Sequence, residues 1–407
     1  MNLKKTLTKR LLPLYLAGFF QSFVLWYTIE KLFMKSIGFN NTEIGLLVAG
    51  YSAVMLIVET PSGILADRWS RKGVLILASV CLALSCLIGG LSHDFEVYLF
   101  AAIFWGIFFA CYSGMYDSII YDCISEASSD SKLFDFLYGR SQLIDSIGLV
   151  LGGLAGAFLA EILGLRTVYF IAAPIALLGI VALLFFKEPT LHKKYTALPV
   201  SQQLRSIFQA VLRNRALMPV VVALILRTIL IYILYEFAQL WLIALHTKTA
   251  YYGIAYGVLF SSGGAGGILV NRLKLSRHVP TIFALCITLL SCVGLIIFRS
   301  TAAIVISQLL FATGLTCVYI VFSRLLHDNL SPAIRAGAAS ATSTMGRLFI
   351  IPIALLFGYL SQRLSVYKAG YILLFLAIIM SFFVISVSKR TEQTELKSAK
   401  LLGNSET

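Results

Sequence analysis

The sequence contains few charged residues and an excess of apolar ones. Asp, Glu, Lys and Arg together make up 13% of the 407 residues, whereas 59% are hydrophobic and the mean hydropathy is +0.88. A soluble chain would carry about a quarter charged residues. This shortage of charge excludes a soluble enzyme, a disordered scaffold and a disulfide-stapled secreted domain, and it indicates a membrane protein with many spans.

Residues that bind metals, form disulfides or hold ATP are also scarce or unsuitably spaced. None of the seven cysteines forms a CxxC pair, and none of the five histidines lies at metal-ligand spacing from a cysteine. No G-x-x-x-x-G-K-[ST] loop is present for binding nucleotide phosphates. We therefore expect no metal, no cofactor and no ATP-driven step. The scattered histidines offer no catalytic constellation for a membrane-embedded enzyme, so we do not expect an enzyme.

Twelve apolar runs are long enough to cross a bilayer as helices, because backbone groups in lipid must be hydrogen-bonded within the segment. The first run follows a basic start, as in a signal peptide, but it continues to about Met34 without a convincing cleavage site, and we interpret it as an uncleaved span. These spans predict an all-α membrane protein. The runs lie near residues 11–34, 44–66, 74–92, 97–121, 138–160, 165–186, 216–243, 251–270, 280–298, 301–324, 337–360 and 367–388.

The distribution of Lys and Arg between alternate loops predicts the orientation. Of these 33 residues, 23 lie in loops on the N-terminal side, six lie in the opposite loops, and four lie inside or at the ends of spans. Cytoplasmic loops are enriched in both residue types, so we expect a multi-pass protein of the cytoplasmic (inner) membrane with both termini in the cytoplasm. The same enrichment explains the net charge of +14 without a nucleic acid partner.

A polar, basic segment with two prolines divides the spans into two sets of six, and the two sets resemble each other. Residues 63–68, after span 2, read GILADR, and residues 267–272, after span 8, read GILVNR. Such a repeat is typical of transporters built from two pseudo-symmetric six-helix bundles. The predicted organisation is an N-terminal bundle (1–186), a cytoplasmic linker (187–215), a C-terminal bundle (216–390) and a cytoplasmic tail (391–407).

The segment 59–72, at the end of span 2, reads ETPSGILADRWSRK. It resembles the G-x-L-a-D-r-x-g-r-[KR] signature of the major facilitator superfamily. The extended form, with Ser-Gly at 113–114 and Tyr-Asp at 121–122 in span 4, is similar to bacterial members commonly labelled drug or metabolite exporters. With the twelve spans, the basic linker and the repeated motif, the resemblance covers the whole chain and implies the two-bundle fold of that superfamily.

The resemblance also implies a gating role for this signature loop. In the superfamily the loop bridges to the opposite bundle and stabilises one of two alternating states, which the resemblance implies here for Asp67 and Arg71. Gly63 is expected to permit close approach of a helix. The alternative is that the basic residues only anchor the topology. The predicted gating residues are Gly63, Asp67, Arg68, Arg71 and Lys72.

Three departures from the superfamily pattern bear on the mechanism. Ser70 stands where the signature loop usually has Gly. In span 4, the position of the usual Arg is held by Ile103 if the Gly that follows it in the pattern is Gly106. The glycine-rich stretch 146–153 of span 5 lacks the Pro of the antiporter signature. The last two departures weaken an automatic inference of proton antiport.

Two arginines lie inside spans of the second half. Arg227 is eleven residues and Arg347 ten residues into its span, which at ~1.5 Å per residue places both near the middle of a ~30 Å core. A charge there costs roughly 2.5–3.5 kcal/mol on insertion scales, so we expect a functional reason for it. We predict that both arginines bind an anionic group of the substrate. The alternative is a structural pair with a buried carboxylate such as Asp145.

Polar and aromatic residues form a stripe on one face of span 7, beginning at Thr228, and a similar pattern occurs in span 1. Such a surface suits amphipathic solutes. For the two glutamates of these stripes, the alternative is a hydrated side chain at the membrane interface. The stripes predict these further substrate-binding residues: Tyr232, Tyr235, Glu236, Gln239, Trp26 and Glu30.

Acidic residues inside or at the ends of spans are the candidates for proton coupling. Asp145 lies seven residues into span 5, on the face of a glycine stripe (148, 152 and 156) that predicts close helix packing. Its position inside a span makes it the best candidate for a proton relay. Asp117, near the end of span 4, and Glu59, at the end of span 2, are further candidates, and for both a charge-pair or capping role is equally open.

These features predict a secondary active transporter that moves a small amphipathic or anionic molecule across the membrane by alternating access. Proton-coupled efflux is the leading expectation. Uptake of an organic anion or a siderophore-like metabolite is the alternative, since the central arginines suit either direction. The expected partners are a small-molecule substrate, protons as the coupling ion and the lipid bilayer, and the expected state is a monomer.

Overall fold

The computed structural model describes residues 3–127, 132–189, 217–273, 278–328 and 332–403. Over these ranges the chain forms helices and no strands, and twelve helical segments are long and apolar enough to cross a membrane. The predicted all-α membrane fold with twelve spans is confirmed. Spans 1 to 12 are Lys4–Ser36, Asn41–Arg68, Arg71–Leu91, Phe95–Ala127, Phe136–Leu163, Leu165–Leu184, Met218–Ala244, Ala250–Leu273, Val279–Ile297, Thr301–Leu326, Thr344–Arg363 and Val366–Lys389.

Three of the twelve spans are interrupted, which hydropathy alone did not predict because a break of a few residues barely changes the average. In span 4 the interruption includes Gly114, whose φ of +73° is readily adopted by glycine. Broken spans in transporters place irregular backbone near binding sites. The pieces are Leu3–Ser22, a 3₁₀ turn at Tyr27–Ile29 and Glu30–Ser36 in span 1, Phe95–Tyr112 and Met115–Ala127 in span 4, and Ala250–Phe260 and Ser262–Leu273 in span 8.

Short polar side chains determine where several spans begin. At span 2 the Asn40 side chain accepts from the backbone N–H of Glu43 (3.0 Å), and the Glu43 carboxylate accepts from the backbone N–H of Asn40 (2.9 Å). At span 4 Asp94 accepts from the backbone N–H of Val97 (2.9 Å). Each bond satisfies a donor that a helix leaves unpaired at its N-terminus. The polar residues between apolar runs therefore define helix starts as well as loops.

Helix contacts group the chain into two compact units. Unit 1 comprises Met1–Ala197 and His246–Gly257, and unit 2 comprises Leu198–Leu245 and Val258–Thr407. Unit 1 therefore contains spans 1 to 6 and the first residues of span 8, and unit 2 contains the rest of the second half. Most of the predicted linker, 187–215, lies outside the described residues, so the predicted domain boundaries stay predictions.

Within unit 1, span 5 packs closely on span 1 along the predicted glycine stripe. A Cβ added at Gly148 would lie 2.7 Å from the carbonyl oxygen of Phe19, and one at Gly152 would meet the span-1 backbone at 2.9 Å. One at Gly156 would overlap the backbone of Leu25. Helix backbones approach this closely only where side chains are absent. The predicted close packing is therefore confirmed.

Unit 2 is organised around span 7. The fully buried Trp241 donates its indole N–H to the carbonyl oxygen of Leu295 in span 9 (2.8 Å). Phe237 packs on Phe357 of span 11, with ring centroids 4.7 Å apart. The buried amide of Gln308 in span 10 donates to a span-7 carbonyl (3.2 Å). These bonds satisfy polar groups away from water and fix three helices against the span that carries Arg227.

Candidate transport site

The carboxylate of Asp145 is held between spans 1, 4 and 5 of unit 1. Tyr112, the last residue of the first helix of span 4, donates its hydroxyl to Asp145 Oδ2 (3.0 Å). The other oxygen, Oδ1, is buried and has no hydrogen-bond partner among the described residues. Gly18 of span 1 leaves the space for this oxygen, because a Cβ there would overlap with it. One unsatisfied oxygen is costly for a charged carboxylate, and a bound proton lowers that cost because it neutralises the charge.

A series of polar side chains extends from this carboxylate across unit 1. Tyr116 packs against the ring of Tyr112, with centroids 5.1 Å apart, and donates to Gln21 Oε1 (2.6 Å). Gln21 donates in turn to Ser79 Oγ (2.7 Å) and to the carbonyl oxygen of Leu75 (3.0 Å). The sequence prediction missed these residues. The signal that was available is a polar group in the middle of an apolar span.

The other two candidates for proton coupling lie near the interruption of span 4. Ser113, within the interruption, donates to Glu59 Oε1 at 3.4 Å. Asp117 lies in the first turn of the second helix of span 4, where a negative charge stabilises the helix N-terminus. Both positions agree with the charge-pair and capping alternatives. A role for Glu59 and Asp117 in coupling stays a prediction.

The signature loop forms an ion-pair network within unit 1. Arg71 Nη1 lies 2.5 Å from Asp122 Oδ2 in span 4, and Arg71 Nη2 lies 3.3 Å from Asp67 Oδ1 in span 2. The Asp122 side chain is 16% exposed and that of Asp67 is 47% exposed, so the bond with Asp122 is less weakened by solvent. Arg71 thus connects the loop to spans 2 and 4. The implied bridge to the opposite bundle stays a prediction.

Ser70, the departure from the superfamily signature, caps span 3. Its hydroxyl accepts from a backbone N–H in the first turn of span 3 (2.8 Å) and donates to the Glu188 carboxylate (2.6 Å). Glu188 also accepts from the backbone N–H of Arg71 (2.6 Å), and Lys72 Nζ donates to the carbonyl oxygen of Phe186 (2.9 Å). A carboxylate is favourable at a helix N-terminus. The sequence prediction missed Glu188, because nothing local connects the end of span 6 with this loop.

Two of the predicted gating residues, Gly63 and Arg68, do not take part in this network. A Cβ added at Gly63 would meet no atom within 4 Å outside its own helix backbone. Among the described residues no helix approaches Gly63 closely, so the expected contact is not found in this conformation. Arg68 is exposed, as a residue that anchors topology would be. Gating by either residue stays a prediction.

Trp26 is buried in an aromatic cluster of unit 1. Its ring stacks on Tyr169 (centroids 5.3 Å apart) and packs on Trp105 (4.7 Å), and its Nε1 lies 3.1 Å from the sulfur of Cys86. Only 1% of the residue is exposed. Substrate contact by Trp26 is therefore not supported in this conformation. The first helix of span 1 ends at Ser22 and a 3₁₀ turn begins at Tyr27, so the helical spacing used in the prediction does not continue to this residue.

Glu30 lies beside the same cluster and is also buried. It forms an ion pair with Lys31, and Tyr98 donates to Glu30 Oε1 at 3.3 Å. Tyr98 is itself hydrogen-bonded to Tyr169 (2.9 Å). The side chains of Lys31 and Glu30 are 1% and 5% exposed. A hydrated glutamate at the membrane interface is therefore the wrong description of Glu30, and its contact with substrate stays a prediction.

Arg227 lies on the half-buried face of span 7 and is held by span 10. Its Nε–H donates to the carbonyl oxygen of Leu315 (3.3 Å), and its guanidinium lies 4.5 Å from the ring centroid of Tyr319. Within the described part of the chain, neither Arg227 nor Asp145 forms an ion pair. The alternative of a structural pair between an arginine and a buried carboxylate such as Asp145 stays open. A guanidinium has five N–H donors, and these contacts use one of them.

Span 11 brings Arg347 to the same level of unit 2 as Arg227. A Cβ added at Gly346 would lie 2.9 Å from the methyl carbon of Thr228, so spans 7 and 11 touch at residues adjacent to the two arginines. Arg347 is half-buried, like Arg227. Two cations beside one helix contact, in surroundings of low dielectric constant, favour an acidic group.

The predicted stripe on span 7 has an accessible part and a buried part. Tyr232 and Tyr235 are half-buried, and the hydroxyl of Tyr235 is hydrogen-bonded to Ser262 at the start of the second helix of span 8 (3.2 Å). Glu236 and Gln239 are 7% and 2% exposed. A hydrated interfacial side chain is therefore the wrong description of Glu236. The accessible part of the stripe includes Thr228 and the two tyrosines on the arginine-bearing helix.

The described residues contain no group of three or more His, Cys, Asp or Glu that could hold a metal ion. All seven cysteines are free thiols, six of them buried and Cys286 exposed. Buried thiols among apolar side chains pack as small hydrophobic groups. Polar features inside the described spans include the Asp145 carboxylate, the two arginines and the tyrosines beside them.

Twelve spans with charged side chains inside them, together with the family match, define a membrane transporter for small molecules and not an enzyme. The model of the Major Facilitator Superfamily matches residues 11–352. The chain belongs to the Major Facilitator Superfamily, and the predicted fold class is confirmed.

Similar sequences include proteins named for drug resistance. The chain is 25% identical over 182 residues to Quinolone resistance protein NorA of Staphylococcus aureus, a match that covers 42% of this chain and 46% of NorA. It is 30% identical over 159 residues to Multidrug resistance protein 2 of Bacillus subtilis, covering 39% of this chain and 38% of that protein. The matched part of the chain therefore spans less than half of each relative.

Similar solved structures include transporters that match this chain over almost its whole length. The nucleoside transporter NupG matches with a TM-score of 0.72 at 16% identity, covering 95% of this chain and 99% of NupG. An inward-facing, occupied bacterial homologue of the human lysosomal transporter Spinster matches with a TM-score of 0.74 at 15% identity, covering 93% and 95%. At these identities the likeness shows the fold alone.

Proposed function

We propose that the protein is a proton-coupled antiporter that exports a small amphipathic or anionic molecule across the cytoplasmic (inner) membrane by alternating access. The names of the two relatives, a quinolone resistance protein and a multidrug resistance protein, support export of aromatic, amphipathic compounds. Both termini lie in the cytoplasm in this proposal, following the 23-to-6 distribution of loop cations. The protein acts as a monomer in the lipid bilayer.

Arg227 and Arg347 bind the acidic group of the substrate in this proposal. Arg227 is oriented by Leu315 and retains unused N–H donors, which is what a charge-assisted bond to a carboxylate requires. Tyr232 and Tyr235, half-buried further along the same helix, supply aromatic rings of the kind that pack against a flat hydrophobic group. A molecule that combines a carboxylate with a planar aromatic system matches both features, and quinolones are of this kind.

The observation that carries the proposed coupling is the unsatisfied oxygen of Asp145. A transporter driven by a proton gradient must bind and release a proton in every cycle. The charged carboxylate keeps one bond, from Tyr112, and leaves Oδ1 buried and unpaired among the described residues. Proton binding therefore exchanges a costly state for a neutral one, with no rearrangement of an ion pair. Asp117 and Glu59 are secondary candidates for the same role.

Proteoliposomes with an imposed pH gradient test this function. Vesicles with an acidic interior should accumulate a fluorescent quinolone, because protons leave as the substrate enters, and a protonophore should abolish the accumulation. Asp145→Asn should lose gradient-driven accumulation and retain exchange of labelled for unlabelled substrate without a gradient. If substrate flux through the unmodified protein is the same with and without the pH gradient, the proposal of proton coupling is wrong. Accumulation driven by an acidic exterior would instead support uptake of an organic anion or a siderophore-like metabolite.

The arginine site needs a separate comparison. Arg227→Ala should raise the KM for an anionic substrate about ten- to a hundredfold, since a hydrogen bond to a charged group is worth ~1.5–3 kcal/mol. Arg299→Ala is the matched control, because Arg299 also lies over a tyrosine ring, that of Tyr367 at 3.5 Å, within the same unit. An unchanged KM in Arg227→Ala, or an equal rise in the control, would contradict the assignment.

A further inference from the structure

Two interruptions of the membrane helices meet at Asp145. The first helix of span 1 ends at Ser22, and the first helix of span 4 ends at Tyr112. The hydroxyl of Tyr112 is hydrogen-bonded both to Ser22 and to Asp145 Oδ2. A single hydroxyl group therefore connects the carboxylate to the ends of two helix segments.

The second helix of span 4 leads from this point to the signature loop. After Tyr112 the helix is interrupted at Ser113 and Gly114, the latter with φ +73°, and it resumes at Met115. The resumed helix carries Asp122, which pairs with Arg71 at 2.5 Å. Helices bend at Gly/Ser pairs of this kind. Rotation of the second helix about the interruption changes the position of Asp122 relative to the loop.

We propose that Tyr112 is the positioning residue that converts proton binding at Asp145 into movement of the second helix of span 4. The inference rests on the proposed proton coupling at Asp145. A hydrogen bond to a charged carboxylate favours the bonded state about ten- to a hundredfold, against roughly two- to tenfold for a neutral pair. The hydrogen bond to charged Asp145 therefore keeps Tyr112 against span 5. Because Tyr112 ends the first helix of span 4, that helix end is kept there as well. Protonation of Asp145 weakens this hydrogen bond, and the two helices of span 4 can then move about the interruption between them.

The described groups around Asp145 determine how directly protonation acts on Tyr112. Span 1 approaches the carboxylate at Gly18 and contacts the Tyr112 hydroxyl with Ser22, and neither residue titrates. In the described part of the chain no cation is paired with Asp145. Among the described residues, the titratable groups beside Asp145 and Tyr112 are Tyr116, from the second helix of span 4, and Tyr138, from span 5 itself.

A distance measurement across the interruption tests the proposal. Spin labels at Phe100 and Tyr121, exposed positions on the two helices of span 4, lie roughly 30 Å apart along the axis, within the range of pulsed electron resonance. The full chain is labelled in lipid nanodiscs after replacement of its native cysteines. The distance distribution should differ between acidic and alkaline buffer, and Asp145→Asn should keep the acidic distribution in both. Tyr112→Phe, which removes only the hydroxyl, should lose the difference.

Tyr116→Phe is the matched control, because it removes a hydroxyl from the same aromatic pair but one that bonds Gln21 and not Asp145. It should keep the pH-dependent distance change. In proteoliposomes, Tyr112→Phe should lower gradient-driven accumulation at least tenfold while changing gradient-free exchange less than about threefold, a split that a general packing defect would not produce.

The outcomes separate this inference from the function on which it rests. If Asp145→Asn abolishes gradient-driven accumulation while Tyr112→Phe retains both accumulation and the distance change, the role of Tyr112 is wrong and proton coupling stands. If Asp145→Asn itself retains accumulation, the proposed coupling site is wrong. A distance distribution that does not respond to pH in the unmodified chain, or equal loss in Tyr116→Phe, also overturns the inference.

Discussion

The buried pair of Glu30 and Lys31 allows a quantitative prediction. Lys31→Met leaves a carboxylate whose side chain is 5% exposed without its cation, and Glu30→Gln leaves an ammonium that is 1% exposed without its anion. Each single replacement should lower the free energy of unfolding by about 3–5 kcal/mol, because an uncompensated charge stays buried. The double replacement removes both charges and their desolvation cost together, so it should lie within about 2 kcal/mol of the unmodified protein.

Titration with a denaturing detergent in mixed micelles measures the four free energies of this cycle. The coupling energy between the two replacements should exceed about 2 kcal/mol. Asp67→Asn is the control, because Asp67 also pairs with a cation but is 47% exposed, and its loss should cost at most about 1 kcal/mol. Equal losses in the single and double replacements, with a coupling energy near zero, would refute the reasoning.

The remaining predictions concern a helix cap and three glycines. Glu188→Gln should lower the free energy of unfolding by about 0.5–2 kcal/mol, measured in the same way, because the start of span 3 loses a charge that its backbone donors favour; no change would mean that the contact is incidental. Gly156→Ala should destabilise by about 1–3 kcal/mol or more, since its methyl group overlaps the backbone of Leu25, whereas Gly139→Ala meets nothing and should be neutral or slightly stabilising. Gly63→Leu should leave stability within about 0.5 kcal/mol and slow transport strongly if a helix approaches this loop in another state; unchanged turnover would contradict gating by Gly63.

The close contact along span 5 was predictable because it depends on residue spacing alone. Gly148, Gly152 and Gly156 lie on one face of a helix, and a face without side chains admits another backbone whichever helix supplies it. The identity of that partner, span 1, depends on the tertiary fold and was not predictable. The same holds for Asp145. It was predicted as an acid inside a span, but its contact with Tyr112 joins span 5 to span 4 and depends on the tertiary fold.

Predictions that extended one helical spacing across a break were less successful. Trp26 was placed on a substrate-facing stripe of span 1, but the helix ends at Ser22 and the side chain packs inside unit 1. Arg227 needed no such extension, because its depth inside a continuous apolar run is visible directly. Glu188 could not be found at all, since its partner Arg71 lies 117 residues earlier in the chain.

The contacts of Glu188 also decide where this chain can be divided. Its carboxylate connects the end of span 6 to the start of span 3, and the carbonyl oxygen of Phe186 accepts from Lys72. The first residues of the predicted linker are therefore bonded to the N-terminal helices. A fragment meant to contain those six helices alone, or a fusion partner inserted between the halves, requires a junction after Pro189. A junction before Lys187 would separate a helix from its own cap.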